Sequence, residues 1–164
     1  MAAPRREDVL VVFAQRADAR VDIDAWNAYA MRFFATRIGL TADKRHAPDQ
    51  AAPRSDDASF VVAPDGAPPG VRSTLARPCE ARDYALADAA DARRGGTGLA
   101  LLARRCGMVW LVVREAQADP LALRLSAILA GALLGPILDP AAEELFGVKT
   151  ARAKLQALTS TSGN

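Results

Sequence analysis

Two short apolar runs, Val9-Leu-Val-Val-Phe-Ala14 and Met108-Val-Trp-Leu-Val-Val113, carry most of the information on the fold. Both lack polar side chains and are rich in β-branched and aromatic residues, which favour strands. A strand without polar alternation is typical of a strand that is covered on both faces of a sheet. The runs therefore predict two central strands with helices packed over them.

The segment after the first run predicts an amphipathic helix. Asp22 or Asp24 can cap its start, and Gly39 can close it. The residues at helical spacing are Ile23, Trp26, Ala30, Phe33 and then Arg37 or Ile38. We expect a shared core that contains Trp26, Phe33, Val11, Trp110 and Val112.

Residues 59–63 and 71–77 predict two strands joined by a turn rich in proline and glycine. The alternation in the second strand favours a hairpin at the edge of the sheet, with one face in water. Residues 41–57 are polar and contain two prolines, which is typical of a mobile surface loop.

Five helical segments are predicted from residue 80 onward. Residues 80–94 form the first, and Thr97 can cap a shorter one that runs through Arg105. Asp119-Pro120 is a cap followed by proline and opens a long helix. Asp139-Pro140 repeats that pattern before a short helix that ends at Gly147, and a last basic helical turn or two follows.

The order of elements is β-α-β-β-α-β-α with extra C-terminal helices. This order predicts a small layered α+β domain of about four strands with a ferredoxin-like plan. The alternative is that the two apolar strands are adjacent and parallel, with the hairpin outside them. We expect one domain over residues 1–158 and a frayed tail over 159–164.

Composition argues against several classes of function. Lys+Arg total 21 and Asp+Glu total 19, a formal charge of +2, so the basic excess of a nucleic-acid-binding protein is missing. The longest apolar stretch, residues 121–138, contains Arg124 and predicts a buried helix, not a membrane span. Two cysteines and no export signal favour a cytoplasmic protein.

A glycine-rich segment between two predicted helices is a candidate anion site. Backbone amides at a helix start, together with nearby guanidinium groups, can bind phosphate or carboxylate. The alternative is a turn in which the glycines only permit positive φ angles. The candidate residues are Arg93, Arg94, Gly95, Gly96, Thr97 and Gly98, with Arg104 and Arg105 nearby.

No catalytic, metal or cofactor site is predicted. Cys106 follows two arginines, which would favour a thiolate, but the single histidine, His46, has nothing local to orient it as a base. The numerous carboxylates are explained as helix caps and solvated surface groups, and the ligands for a zinc site are too few.

The long helix carries a stripe of small residues. Such a stripe permits close approach, either to the domain's own sheet or to another chain, and the helix has more apolar surface than one core-facing stripe requires. The candidate interface residues are Ala127, Leu129, Gly131, Leu133 and Gly135. Folding back of residues 140–158 over the helix is the competing explanation.

Two hypotheses of function follow. The first is a non-catalytic cytoplasmic protein-interaction domain, such as an adaptor, a regulator or an immunity-type protein. Its partner is another protein or a second copy, with no nucleic acid, membrane or cofactor. The alternative is an enzyme or a phosphate-binding domain centred on the glycine segment.

Overall fold

The two apolar runs lie side by side at the centre of a single antiparallel sheet. The computed structural model describes residues 8–41 and 57–161. Within these ranges the strands are β1 Val9–Ala14, β2 Thr36–Leu40, β3 Asp57–Pro64, β4 Gly70–Pro78, β5 Met108–Val113, β6 Ile137–Asp139 and β7 Glu144–Phe146. The helices are α1 Ile23–Phe34, α2 Ala81–Arg93, α3 Leu99–Arg104, α4 Pro120–Leu133 and α5 Val148–Thr161.

The strand order is β2-β3-β4-β5-β1-β6-β7, and every pair is antiparallel. The mixed α+β class is confirmed, but the ferredoxin-like plan of four strands is wrong. The two apolar strands are adjacent, as in the alternative, but they are antiparallel and not parallel. Strand β4 runs in the same direction as β1, and the excursion through α2 and α3 leaves the sheet after Pro78 and returns at Met108, its direct neighbour in the register. Strand β5 must then run back along β4.

Strand β2 replaces the expected end of the first helix. Helix α1 ends at Phe34, and Ala35 follows in the left-handed region with a φ of 47°. Thr36 and Ile38 then alternate inward as β-branched strand residues. The backbone amide of Ile38 donates to Asn27 Oδ1 of α1 at 2.9 Å, which satisfies an outward-facing group of this edge strand.

The predicted hairpin exists but does not form a sheet edge, so that expectation is wrong. Strand β3 pairs with β2 on its far side, and β4 pairs with β5. Within the described residues, the two edges of the sheet are β2 and β7. The predicted loop over 41–57 lies outside the described residues except at its two ends.

The expected short helix after Asp139-Pro140 is also wrong, because β6 and β7 form a tight hairpin there. The Asp139 carboxylate accepts the amides of Ala141 and Ala142 at 3.1 and 3.2 Å and so stabilises a turn. Glu143 completes the reversal with a φ of 53°. By contrast, the cap at Asp119 does open α4, where its carboxylate accepts the amide of Ala122 at 3.1 Å.

Helices cover both faces of the central strands. One face carries α1, α4 and α5 over a large core that includes Trp26 and Trp110, whose rings meet edge to face at 5.5 Å. The other face carries α2 and α3 over a smaller core that includes Val11. Phe33 was expected in the core but is 45% exposed, and Phe34 is buried in its place.

The small-residue stripe of α4 lies inside the domain. Ala127, Leu129 and Leu133 are buried, and α5 packs on α4, as the competing explanation required. A side chain at Gly131 would collide with the Tyr29 ring, and one at Gly135 would collide with the Phe13 backbone. Helix α5 continues through Thr161, past the position where the tail was expected to begin.

Trp110→Ala should lower the free energy of unfolding by about 3–5 kcal/mol, because Trp110 is fully buried on a central strand. Urea unfolding followed by circular dichroism measures the change. A loss below about 1 kcal/mol would contradict the placement of Trp110 at the centre of the core.

Gly135→Ala should destabilise the fold by about 3 kcal/mol, and Gly131→Ala by about 1 kcal/mol, although both glycines belong to one stripe. The new methyl group meets rigid strand backbone at Gly135, whereas at Gly131 it meets a tyrosine side chain that can rotate away. Thermal unfolding of the two variants tests this order, and equal losses would refute it.

Candidate functional site

The glycine segment forms the turn between α2 and α3, and its amides already donate within the chain, either to carbonyls of α2 or to the Asp91 carboxylate. Gly95, Gly96 and Gly98 have φ angles of 80°, 78° and 90°, which only glycine adopts easily. The buried Asp91 carboxylate accepts Thr97 N at 2.9 Å, Thr97 Oγ1 at 2.5 Å and Ala100 N at 3.3 Å. An external anion would have to displace it.

The arginines near this turn are also paired within the chain. Arg93 binds Glu143, and Arg94 binds Glu144, so both reach the β6–β7 hairpin. Arg104 binds Asp88 on α2. Arg105, the fourth arginine near this turn, is exposed. Hence the structure places the predicted residues at an exposed junction of α2, α3 and the hairpin, where ion pairs join Arg93 and Arg94 to the hairpin.

The cysteines are placed as packing residues. Cys106 is 1% exposed, and burial raises the pKa of its thiol to about 11. The adjacent arginines do not offset this effect, so the thiolate that a nucleophile requires is disfavoured. Burial also raises the pKa of the Cys79 thiol. His46 lies outside the described residues.

Residues 8–41 and 57–161 contain neither a cluster of metal ligands nor a helix that could span a membrane. No group of three or more His, Cys, Asp or Glu side chains is arranged to hold a metal ion. None of the helices in these ranges combines the length and the apolarity that crossing a bilayer requires.

Ion pairing separates the basic residues into two groups. Nine of those described pair with a carboxylate: Arg16, Arg72, Arg77, Arg82, Arg93, Arg94, Arg104, Arg114 and Lys154. The other seven described basic residues form no ion pair with a described carboxylate: Arg20, Arg32, Arg37, Arg105, Arg124, Lys149 and Arg152. Of these, Arg32, Arg124 and Arg152 come from three helices, and all three lie at the last turn of α1. We call Arg32, Phe33, Arg124 and Arg152 the basic patch.

Backbone carbonyls of α1 fix two of these guanidinium groups. Arg124 Nη1 donates to the Phe34 carbonyl at 3.0 Å and to Thr36 Oγ1 at 3.2 Å. Arg152 Nη2 donates to the Phe33 carbonyl at 3.0 Å. Cations at a helix C-terminus are favoured by the macrodipole, which explains part of this arrangement. The other nitrogens of Arg124 are not sealed from solvent, so they remain available as donors.

Phe33 provides the apolar part of the basic patch. The guanidinium carbons of Arg32 and Arg152 lie 5.1 and 5.7 Å from the centre of its ring, within cation–π range. Tyr29 packs on the ring with 4.8 Å between centroids. An aromatic ring that is nearly half exposed and held between cations is a surface suited to contact with another molecule.

Arg124 is the residue of the patch that bears a desolvation cost. It is half-buried, and burial is the cause that lowers the pKa of its guanidinium group. A partly buried charge without a counter-ion gains when an anion approaches. The sequence showed Arg124 only as a charge inside an apolar run, and its position beside α1 depends on a contact ninety residues away.

Comparison with known proteins adds no family. No family model matches the chain. No curated protein and no solved structure matches it either.

Asp91→Asn should lower the free energy of unfolding by about 1–3 kcal/mol at pH 7, because it weakens a buried acceptor of three hydrogen bonds. Hydrogen bonds from Thr97 hold the pKa of the Asp91 carboxyl below its usual range. The wild-type advantage should thus be complete above the unfolded pKa of about 3.9 and disappear as the pH falls through the lower folded value.

Chemical denaturation at several pH values measures this difference. Asp88→Asn is the matched control, since Asp88 forms only an exposed ion pair with Arg104. It should change stability by less than about 0.5 kcal/mol. An equal effect of the two variants would show that Asp91 does not organise the glycine turn.

Proposed function

We propose that the protein is a non-catalytic protein-interaction domain, of the adaptor, regulator or immunity type, that binds its partner through the basic patch. The observation that carries the proposal is the convergence of Arg32, Arg124 and Arg152 without an ion pair to a described carboxylate. Every arginine near the glycine turn except the exposed Arg105 is paired. Three of the seven described basic residues without such a pair thus lie together at one end of α1.

Pre-positioning of the side chains supports a binding role. Arg124 and Arg152 are held by carbonyls of α1, so fewer rotamers are lost when a partner binds. Arginines and exposed aromatic rings are also the residue types that dominate protein interfaces. The free thiols of Cys79 and Cys106 support a reducing compartment such as the cytoplasm.

Two features considered from the sequence no longer support this proposal. The hairpin of β3 and β4 is paired on both sides, and the stripe on α4 is filled by the domain itself. We therefore assign the binding surface to the end of α1 and not to either of them.

An anion-binding domain is the alternative, and one observation favours it. Half-buried Arg124 lacks an ion pair with any described carboxylate, so a small phosphate or carboxylate compound would also relieve its desolvation. Because the Asp91 carboxylate already occupies the glycine turn, the anion site of this alternative would be the basic patch and not the turn.

Affinity capture from the native host with Arg32→Glu/Arg152→Glu tests the proposal. The double reversal should abolish retention of partners, because it replaces attraction by repulsion. Arg20→Glu/Arg105→Glu is the control with the same change in net charge. Both control residues are exposed, and they lie at the other end of α1 and beside the second helical layer.

The control variant should retain the wild-type partners. Arg32→Glu alone guards against misfolding, since Arg32 lies over the Phe33 ring and the hydrogen bonds to the α1 carbonyls come from Arg124 and Arg152. Retention of the same partners by the double reversal would refute the proposal. Stabilisation of the wild type by inorganic phosphate, lost in the double reversal, with no captured protein, would favour the alternative.

A further inference from the structure

We infer that the basic patch recognises a short acidic protein segment in which a carboxylate side chain neighbours an apolar one. This inference rests on the proposed function and specifies the partner's chemistry. Its basis is the combination of two carbonyl-anchored guanidinium groups with an exposed aromatic ring in one surface.

The number and placement of the charges favour a protein segment over a nucleic acid. A polynucleotide requires a track of cations along several phosphates. The three arginines of the patch are confined to one helix end, and nine other basic residues are neutralised by the chain's own carboxylates. Two or three carboxylates on a short segment would match this surface.

The carbonyl groups at the end of α1 favour a carboxylate over a phosphate. The C-terminus of a helix carries partial negative charge, which opposes any anion and opposes a dianion more strongly. The planar guanidinium fork matches the oxygens of a carboxylate and of a phosphate alike, so the discrimination comes from the helix end. In Arg124 and in Arg152, one Nη donates to an α1 carbonyl. The remaining N–H groups of each guanidinium can donate to a carboxylate.

The Phe33 ring supplies the second half of the recognition. The ring is exposed beside the guanidinium groups, and the Tyr29 ring packs against it. An apolar side chain next to the bound carboxylate would cover the ring and remove it from water. Purely acidic segments would leave this apolar surface uncovered and should bind less tightly.

Fluorescence anisotropy with two labelled peptides tests the inference. One peptide repeats Glu-Leu-Glu-Gly three times, and the other repeats Glu-Gly-Glu-Gly, which has the same charge. The wild type should bind the leucine peptide about fivefold more tightly, a difference of about 1 kcal/mol of apolar burial. Phe33→Ala should remove that difference, whereas Arg152→Gln should weaken both peptides about tenfold.

Two controls match these variants. Leu101→Ala removes a leucine that is 70% exposed on α3, and Arg105→Gln removes an exposed arginine beside it. Both should bind as the wild type does. Equal affinity for the two peptides, no saturable binding of either, or tighter Arg152-dependent binding of pyrophosphate or of a single-stranded oligonucleotide would each overturn the inference.

The peptide-binding experiment and the partner-capture experiment can fail independently of each other. If charge reversal abolishes partner capture but neither peptide binds, the interaction domain stands and the acidic–apolar segment is wrong. If the double reversal still captures the partners, the basic patch itself is not the binding surface.

Discussion

The pairing of β1 with β5 constrains everything else in the molecule. Six consecutive residue pairs join these strands, and the side chains on both faces of the pair are almost entirely buried. Since neither face can be left in water, helices have to pack on each side. The larger core forms under α1, α4 and α5, and α2 and α3 close the other side.

That constraint also determines where charged groups can lie. The side chains of Arg72 and Asp119 are largely buried as an ion pair, with 2.8 Å between Arg72 Nε and Asp119 Oδ2. The Asp119 carboxylate also caps α4. Arg114 pairs with Asp139 in the same way at the end of β5. Half-buried Arg124 has no such partner among the described carboxylates, and it donates to the Phe34 carbonyl at the end of α1.

Local signals predicted the central strands and most of the helices, because their information lies within a few residues. The two Asp-Pro pairs show the limit of such signals. At Asp119 the carboxylate caps a helix, whereas at Asp139 it stabilises a turn and pairs with Arg114, twenty-five residues away. Nothing within a few residues of either pair distinguishes the outcomes, so tertiary contacts decide.

Strand β2 and the basic patch were missed for the same physical reason. Ile38 continues the helical spacing of α1, and only pairing with β3 makes the extended conformation more stable. Arg124 occurs in an apolar stretch, and its role depends on the end of a helix that precedes it by ninety residues. The candidate glycine turn was found correctly as a turn, but the carboxylate that fills it comes from the preceding helix.

Net charge is a poor guide to the surface of this protein, because the near balance of 21 basic and 19 acidic residues hides a local imbalance. Ion pairs remove most of the charge from the field that a partner experiences, whatever the totals are. What remains is set by geometry: α1 carbonyls accept hydrogen bonds from Arg124 and Arg152, and Arg32 lies over the neighbouring Phe33 ring. Carbonyl dipoles position a guanidinium group without cancelling its charge, so the end of α1 stays positive and ordered at once. Burial of part of Arg124 without an ion pair to a described carboxylate costs this fold free energy, and the hydrogen bonds to Phe34 and Thr36 offset part of that cost.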